Sequence, residues 1–246
     1  MQWSLVGAEM CISDRRGAET VISEMDEQRS LGLASAENVR DLGGYETADG
    51  RTTQWGRFVR SGDMDQLTEA DRERLIRYGV TTVIDLRMRR EVEAMPNAFV
   101  GSTEVDCVVH DFWGNRFDDY RSTNKGAPGE VKLADLYCAG LRQSGFVMAD
   151  IMTTIARAES PAVGFHCRSG KDRTGLVAAM LLGISGVPAE TICEDYSLTA
   201  RYLPELGKRV QPGQPGAYLR GCAAETMALT LEFLDREHDG VEGYLG

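Results

Sequence analysis

Within ten positions, the run His166-Cys167-Arg168-Ser169-Gly170-Lys171-Asp172-Arg173-Thr174-Gly175 brings together a thiol, a guanidinium, a carboxyl and a hydroxyl. That set suits covalent phosphoryl transfer. Cys167 supplies a nucleophile once it is a thiolate. Arg173 follows six residues later, so the five residues between can close into a cradle with the guanidinium on its rim. Its planar fork fits two phosphate oxygens, which the point charge of a lysine cannot do. Arg168, Ser169, Gly170 and Lys171 would direct backbone N–H groups inward, Gly170 by taking a φ that other residues resist. Such a nest holds the equatorial oxygens of a phosphoryl group in flight. Thr174 is spaced to hydrogen-bond the sulfur and stabilise it as a leaving group when water cleaves a phosphocysteine.

The departing oxygen needs a proton, hence a carboxylic acid close by. Asp172, inside the loop, is one candidate. Asp111, Asp118 and Asp119 lie in a polar stretch after a strand-like segment and form the rival group. Spacing does not choose between them.

The elements around the run must hold it. Ala162 to His166 reads as a buried strand and Leu176 to Leu182 as a helix apolar all round, which sets Cys167 beneath a helix N-terminus where an anion is favoured. Upstream, strand-like stretches run from Thr52 to Val59. Thr68 with Asp71 predicts an N-cap, and the helix it opens should end near Gly79. Val80 to Leu86 and Glu104 to Val109 predict further strands. Leu133 to Ala158 has helical spacing with a break near Gly140 or Gly145. Pro188 opens a helix to about Tyr202, and Glu225 to His238 form a last one. Strands alternating with helices predict an α/β fold, a mostly parallel central sheet flanked by helices, with the phosphate loop between a strand and a helix. Residues 1–33 lack a clear period and read as an N-terminal arm; 34–246 read as one domain.

Composition narrows the partners. With 246 residues, 42% of them apolar, the chain can fill a sizeable core. A net charge of -11 repels polyanions at long range, so nucleic acid is excluded as an expected partner, while a local nest of N–H groups can still capture a small phosphorylated group. The six cysteines (Cys11, Cys107, Cys138, Cys167, Cys193 and Cys222) include no C-x-x-C pair, which argues against a zinc framework or a disulfide scaffold. No stretch approaches a bilayer span and no secretory signal is evident, so a cytoplasmic protein without stable membrane insertion is expected, although an unconventional export route would leave no mark in the sequence. No cofactor and no metal are expected, and the sequence says nothing of oligomeric state.

The motif resembles the signature of the C-x5-R protein tyrosine phosphatase superfamily. Its Lys171-Asp172 pair is similar to the bacterial tyrosine and lipid phosphatase branch typified by the mycobacterial secreted phosphatase B. Asn38-Val-Arg-Asp-Leu-Gly-Gly-Tyr45, Gly56-Arg-Phe-Val-Arg-Ser61, Ile84-Asp-Leu-Arg87 and Val241-Glu-Gly-Tyr-Leu245 carry the resemblance over all but the first 33 residues or so. It implies a nucleophile at Cys167, a phosphate-binding arginine at Arg173 and proton transfer by Asp172. The lack of a Trp-Pro-Asp segment, which supplies the acid in better-known members, favours Asp172 further. Lys171 implies substrates extending to phosphoinositides. Arg40, Asp41, Asp85 and Arg87 match family positions near the site. Some members carry a helical lid, for which 114–132 and 203–221 are the candidate stretches.

The expected activity is phosphomonoester hydrolysis through a phosphocysteine, above all on a phosphorylated protein at tyrosine, with dual specificity or phosphoinositide activity open. Two other classes stand beside it. A persulfide sulfurtransferase also sets a reactive cysteine before a helix but has no need of Arg173, and a phosphopeptide- or phospholipid-binding module would keep the nest and lose turnover. A nucleotide-binding loop is excluded, since five residues rather than four separate Gly164 from Gly170-Lys171 and Asp172 stands where Ser or Thr is required.

Overall fold

The computed structural model describes residues 24–114, 133–203 and 221–246. Five strands form one sheet: β1 (Arg40–Asp41), β2 (Phe58–Ser61), β3 (Val80–Asp85), β4 (Asp106–Val109) and β5 (Ala162–His166). Their spatial order is β1-β2-β5-β3-β4; β1 runs antiparallel to β2, and every other pairing is parallel. β5 therefore lies between two parallel neighbours, and all five of its residues are buried, as its run of small and apolar side chains requires. The predicted α/β class with a mostly parallel sheet is observed. The strand expected from Thr52 starts only at Phe58; Thr52 itself makes an isolated bridge to Glu46 across the turn at Asp49-Gly50, where Gly50 has φ +80°.

Ten helices complete the described residues: α1 (Glu24–Arg29), α2 (Glu69–Tyr78), α3 (Arg89–Ala94), α4 (Leu133–Gln143), α5 (Gly145–Arg157), α6 (Asp172–Ile184), α7 (Ala189–Ser197), α8 (Thr199–Tyr202), α9 (Ala224–His238) and α10 (Gly240–Leu245). Thr68 caps α2 by accepting from Asp71 N, and Gly79 closes it in the left-handed region. The stretch from Leu133 divides at Ser144. Gly140 is not the break: it lets the Trp113 ring press against α4, where an added Cβ would meet the ring at 2.2 Å. The segment after Pro188 likewise divides, at Leu198, into α7 and α8. No described helix is long and apolar enough to cross a membrane.

Two apolar clusters sandwich the sheet. The larger joins Ile84 and Phe165 to side chains of α4, α5, α6, α7 and α9; the smaller joins Val59, Val80, Val83 and Ala162 to Leu75, Phe99 and Val105. From Arg173 to Leu182 every residue of α6 is buried, so the helix that follows Cys167 is fixed on all sides. At the chain's start, the Arg29 side chain reaches Gly43 O (3.0 Å) and Gly44 O (3.2 Å), and its guanidinium lies 3.7 Å from the centre of the Tyr45 ring. That contact joins α1 to the β1–β2 connection. Residues 1–23 of the arm lie outside the described residues.

A buried ionic cluster sits where β1, β2 and α7 meet. Asp195 accepts from Arg40 Nε at 3.0 Å, from Tyr45 Oη at 2.8 Å and from Arg60 Nη1, with all three charged side chains 2% exposed or less. Burial pushes the Asp195 carboxyl up, but the two guanidinium groups outweigh it and hold the carboxyl well below the usual range. A depressed carboxyl pKa stabilises the fold above the unfolded value, and that stability is lost as pH falls toward the folded one. Replacing Asp195 by Ala leaves two buried cations without their shared anion and should cost about 3–5 kcal/mol, read from urea unfolding at neutral pH. The difference from the native protein should shrink as pH falls below about 4. A loss under about 1 kcal/mol at neutral pH would contradict this reading of the cluster.

Candidate active site

In open α/β sheets the carboxyl ends of the strands shape the ligand crevice. In this sheet Ser61, Asp85 and His166 stand side by side in register at those ends. Leu86 N donates to His166 O at 2.8 Å, tying β3 to the point where β5 turns into the loop. His166 is fully buried, with Nε2 2.7 Å from Asn97 Nδ2 and 3.4 Å from Asp85 Oδ2, and Nδ1 3.3 Å from Cys167 O. It shapes the loop's base.

Cys167 follows at 1% exposure, and the loop turns through Arg168, Ser169 and Gly170 into α6, where Asp172 is the first helical residue. Gly170 has φ +65°, the conformation expected of it, and an added Cβ would lie 2.6 Å from Gly62 N and from Ser61 C and O. Only glycine allows the loop to rest on the end of β2. The loop's carbonyls are tied on its outer side. Asn38 Nδ2 donates to Ser169 O (3.0 Å) and Gly170 O (2.9 Å), Arg60 Nη2 donates to Gly170 O (2.8 Å), and Asp63 N donates to Arg168 O (3.1 Å). With the carbonyls held outward, the peptide N–H groups of the same units are turned the other way, because the two dipoles of a planar peptide are opposed.

Arg173 is buried in the first turn of α6. Its Nη1 donates to Glu91 Oε2 (2.6 Å) and Leu86 O (3.4 Å), and its Nη2 to Glu91 Oε1 (3.3 Å). Burial opposes its charge, but the neighbouring Cys167 sulfur and the Glu91 carboxylate hold the guanidinium above its ordinary value. Glu91 also accepts from Met88 N at the start of α3, so the residue that fixes Arg173 is itself fixed. At the other side of the loop, Asp63 accepts from Arg87 Nη1 (2.7 Å) and Arg168 Nη1 (3.1 Å), and Arg87 bonds Asp85 through Nε and Nη2.

The expected residues part company at this point. Asp172 Oδ1 accepts from Tyr137 Oη at 2.6 Å and stands 3.3 Å from Lys171 Nζ. Of the rival carboxyls, Asp111 has both oxygens engaged by backbone, Gly114 N at 2.6 Å and Arg89 N at 3.1 Å. Asp118 and Asp119 lie outside the described residues, as do most of both stretches considered for a lid. Lys171, expected on the phosphate side, is 1% exposed, and its ammonium donates to Gly221 O at 3.0 Å. The short path from the helix start turns it inward, against the segment before α9. Thr174 does not hydrogen-bond the sulfur in this structure: its Oγ1 is buried in the first turn of α6 without a partner among the described residues. Asp41, a family position, is structural, accepting from Gly43 N, Gly56 N and Tyr78 Oη.

Sequence reasoning did not single out Asn38, Arg60, Asp63, Glu91, Tyr137 or Asp195. Asn38 and Arg60 were visible only as parts of family-like segments, though Asn38 also stands at φ +57°, a strained position that marks a special role.

Residues 31–246 match the model of the tyrosine phosphatase family. A tyrosine-protein phosphatase of Nostoc commune is 32% identical over 205 residues, spanning 76% of this chain and 68% of that protein. The triple specificity protein phosphatase PtpB of Mycobacterium tuberculosis is 28% identical over 235 residues, spanning 86% and 83%. Among solved structures, Pseudomonas aeruginosa TpbA in complex with phosphotyrosine overlays at a TM-score of 0.36 with 19% identity, over 79% of this chain and 86% of that one, a likeness too slight to carry a point of its own. With the family model covering the sheet, the loop and the helices that hold it, the chain belongs to the tyrosine phosphatase family and is an enzyme of its cysteine-dependent class.

Proposed function

We propose that this phosphatase hydrolyses phosphotyrosine in proteins through a phosphocysteine at Cys167. The observation that carries the reading is the tied loop: Ser169 O and Gly170 O are held outward by Asn38 and Arg60, which leaves N–H groups for a phosphate above Cys167. Sγ attacks phosphorus as the bond to the ester oxygen breaks, and that oxygen leaves with a proton from Asp172. Water then attacks the phosphocysteine and gives a proton to the Asp172 carboxylate, and the sulfur departs as a thiolate. Arg173, held by Glu91, offers two donors to the equatorial oxygens throughout. The hydroxyl of Thr174, which has no partner among the described residues, turns toward the sulfur as it leaves. Asp172 is preferred as the acid because both oxygens of Asp111 are already occupied.

Substrate breadth is part of the proposal. The name of the mycobacterial relative carries triple specificity, and the Lys171-Asp172 pair implies phosphoinositides alongside phosphorylated protein. With the Lys171 ammonium turned toward Gly221 O, a direct contact to a second phosphate would need the 221 segment to shift.

Phosphate release without added metal, from phosphotyrosine peptide, phosphothreonine peptide and phosphoinositides, tests the class and ranks the substrates. Cys167→Ser should abolish turnover on all of them while orthovanadate still binds; residual turnover in that variant would rule out the covalent route. Asp172→Asn should slow phenyl phosphate about 100-fold and an activated dinitrophenyl phosphate far less, because only the poor leaving group depends on the proton. Equal losses on both esters would remove Asp172 from the role.

A further inference from the structure

The two oxygens of Asp172 are treated unequally. Oδ1 accepts from Tyr137 Oη and faces the Lys171 ammonium; Oδ2 makes no hydrogen bond among the described residues, and the side chain is 27% exposed. One oxygen is held and the other is open. Tyr137 projects from α4 and is fully buried. Its hydroxyl lies 2.8 Å from that of Tyr196 on α7, with the rings edge to face at 6.1 Å.

A tyrosine has one proton to give. Since Tyr137 spends its own on Asp172, Tyr196 must donate the contact between the two hydroxyls, and the chain runs Tyr196 to Tyr137 to Asp172 Oδ1. Burial first, and then the nearby Asp172 carboxylate, push both phenols up, so both remain donors across the neutral range. Gly175 belongs to the same device: an added Cβ there would stand 3.1 Å from Tyr196 Cδ2, so the last glycine of the motif is what lets the Tyr196 ring close on α6.

We propose that Tyr137, itself held by Tyr196, is a positioning residue for proton transfer: it fixes Asp172 through Oδ1 and leaves Oδ2 to serve the departing oxygen. The same Oδ2 then receives the proton of the attacking water, so the hydrogen bond to Oδ1 persists through both steps. This inference rests on Asp172 as the acid of the proposed function. It assigns a catalytic consequence to two tyrosines that packing alone would make ordinary core residues, and the two roles differ in what they predict. A core residue affects all substrates alike; a positioning residue affects only the step that needs the proton.

The test is a double-mutant cycle on phenyl phosphate and dinitrophenyl phosphate. Tyr137→Phe keeps the ring and removes the donor. It should lower kcat/KM about tenfold on phenyl phosphate, leave dinitrophenyl phosphate within about twofold and leave orthovanadate affinity unchanged. In an Asp172→Asn background the same change should cost nothing further. Tyr196→Phe, which spares the Tyr137 bond, should give a smaller loss with the same selectivity, and it carries the test if Tyr137→Phe does not fold. If Asp172→Asn is selective for the poor leaving group but Tyr137→Phe is not, or if the two losses multiply, the positioning role is overturned and the acid stands. If Asp172→Asn is itself unselective, the acid reading fails and takes this one with it.

Discussion

The hydrogen bonds from Asn38 and Arg60 to the carbonyls of Ser169 and Gly170 are the constraint on which the rest of the site depends. A five-residue turn between a strand and a helix has many conformations, and most would point some carbonyls at an incoming phosphate. Pinning two successive carbonyls on the outer side removes those conformations before any ligand arrives, and that pre-organisation is what an electrostatic catalyst requires. The pins are anchored in turn. Arg40 donates to Asn38 Oδ1 at 2.5 Å, and Arg40 and Arg60 share Asp195, so the cradle is referred back to α7 and the antiparallel edge of the sheet. Gly170 and Gly62 let the loop sit close enough for these bonds to form.

A second consequence is electrostatic. The chain carries a net charge of -11, yet four of its arginines, Arg40, Arg60, Arg87 and Arg173, are buried around one loop. Each is matched by a buried or half-buried carboxylate: Asp195 for the first two, Asp85 and Asp63 for Arg87, and Glu91 for Arg173. Pairing makes the burial of such charges tolerable and fixes where each guanidinium points. The long-range field repels extended polyanions.

The local chemistry was legible in the sequence because it depends on short spacings. Six residues from Cys167 to Arg173 dictate a closed loop, Gly170 dictates a left-handed turn, and β-branched residues at Val80 and Val83 dictate a buried strand. Partnerships between distant residues were not legible. Nothing in the spacing links Tyr137 to Asp172, 35 positions away, or Arg60 to Asp195, 135 away; helix packing across the sheet creates both. Thr174 and Lys171 show the same limit from the other side, since their positions in the motif were plain but the direction of each side chain followed from the start of α6. Residue type and spacing separated Asp172 from Asp111 no better; the family resemblance favoured Asp172, and the backbone donors on Asp111 add to that.

Titrating orthovanadate against the native protein and against Asn38→Ala tests whether the outer ties hold the loop in the form that receives a phosphate. Loss of two hydrogen bonds to the loop, one buried and one partly buried, should weaken vanadate affinity about tenfold or more while the folded fraction, followed by near-ultraviolet circular dichroism, stays native. Unchanged affinity in a folded Asn38→Ala protein would mean that the loop keeps its shape without these ties, and would contradict the claim.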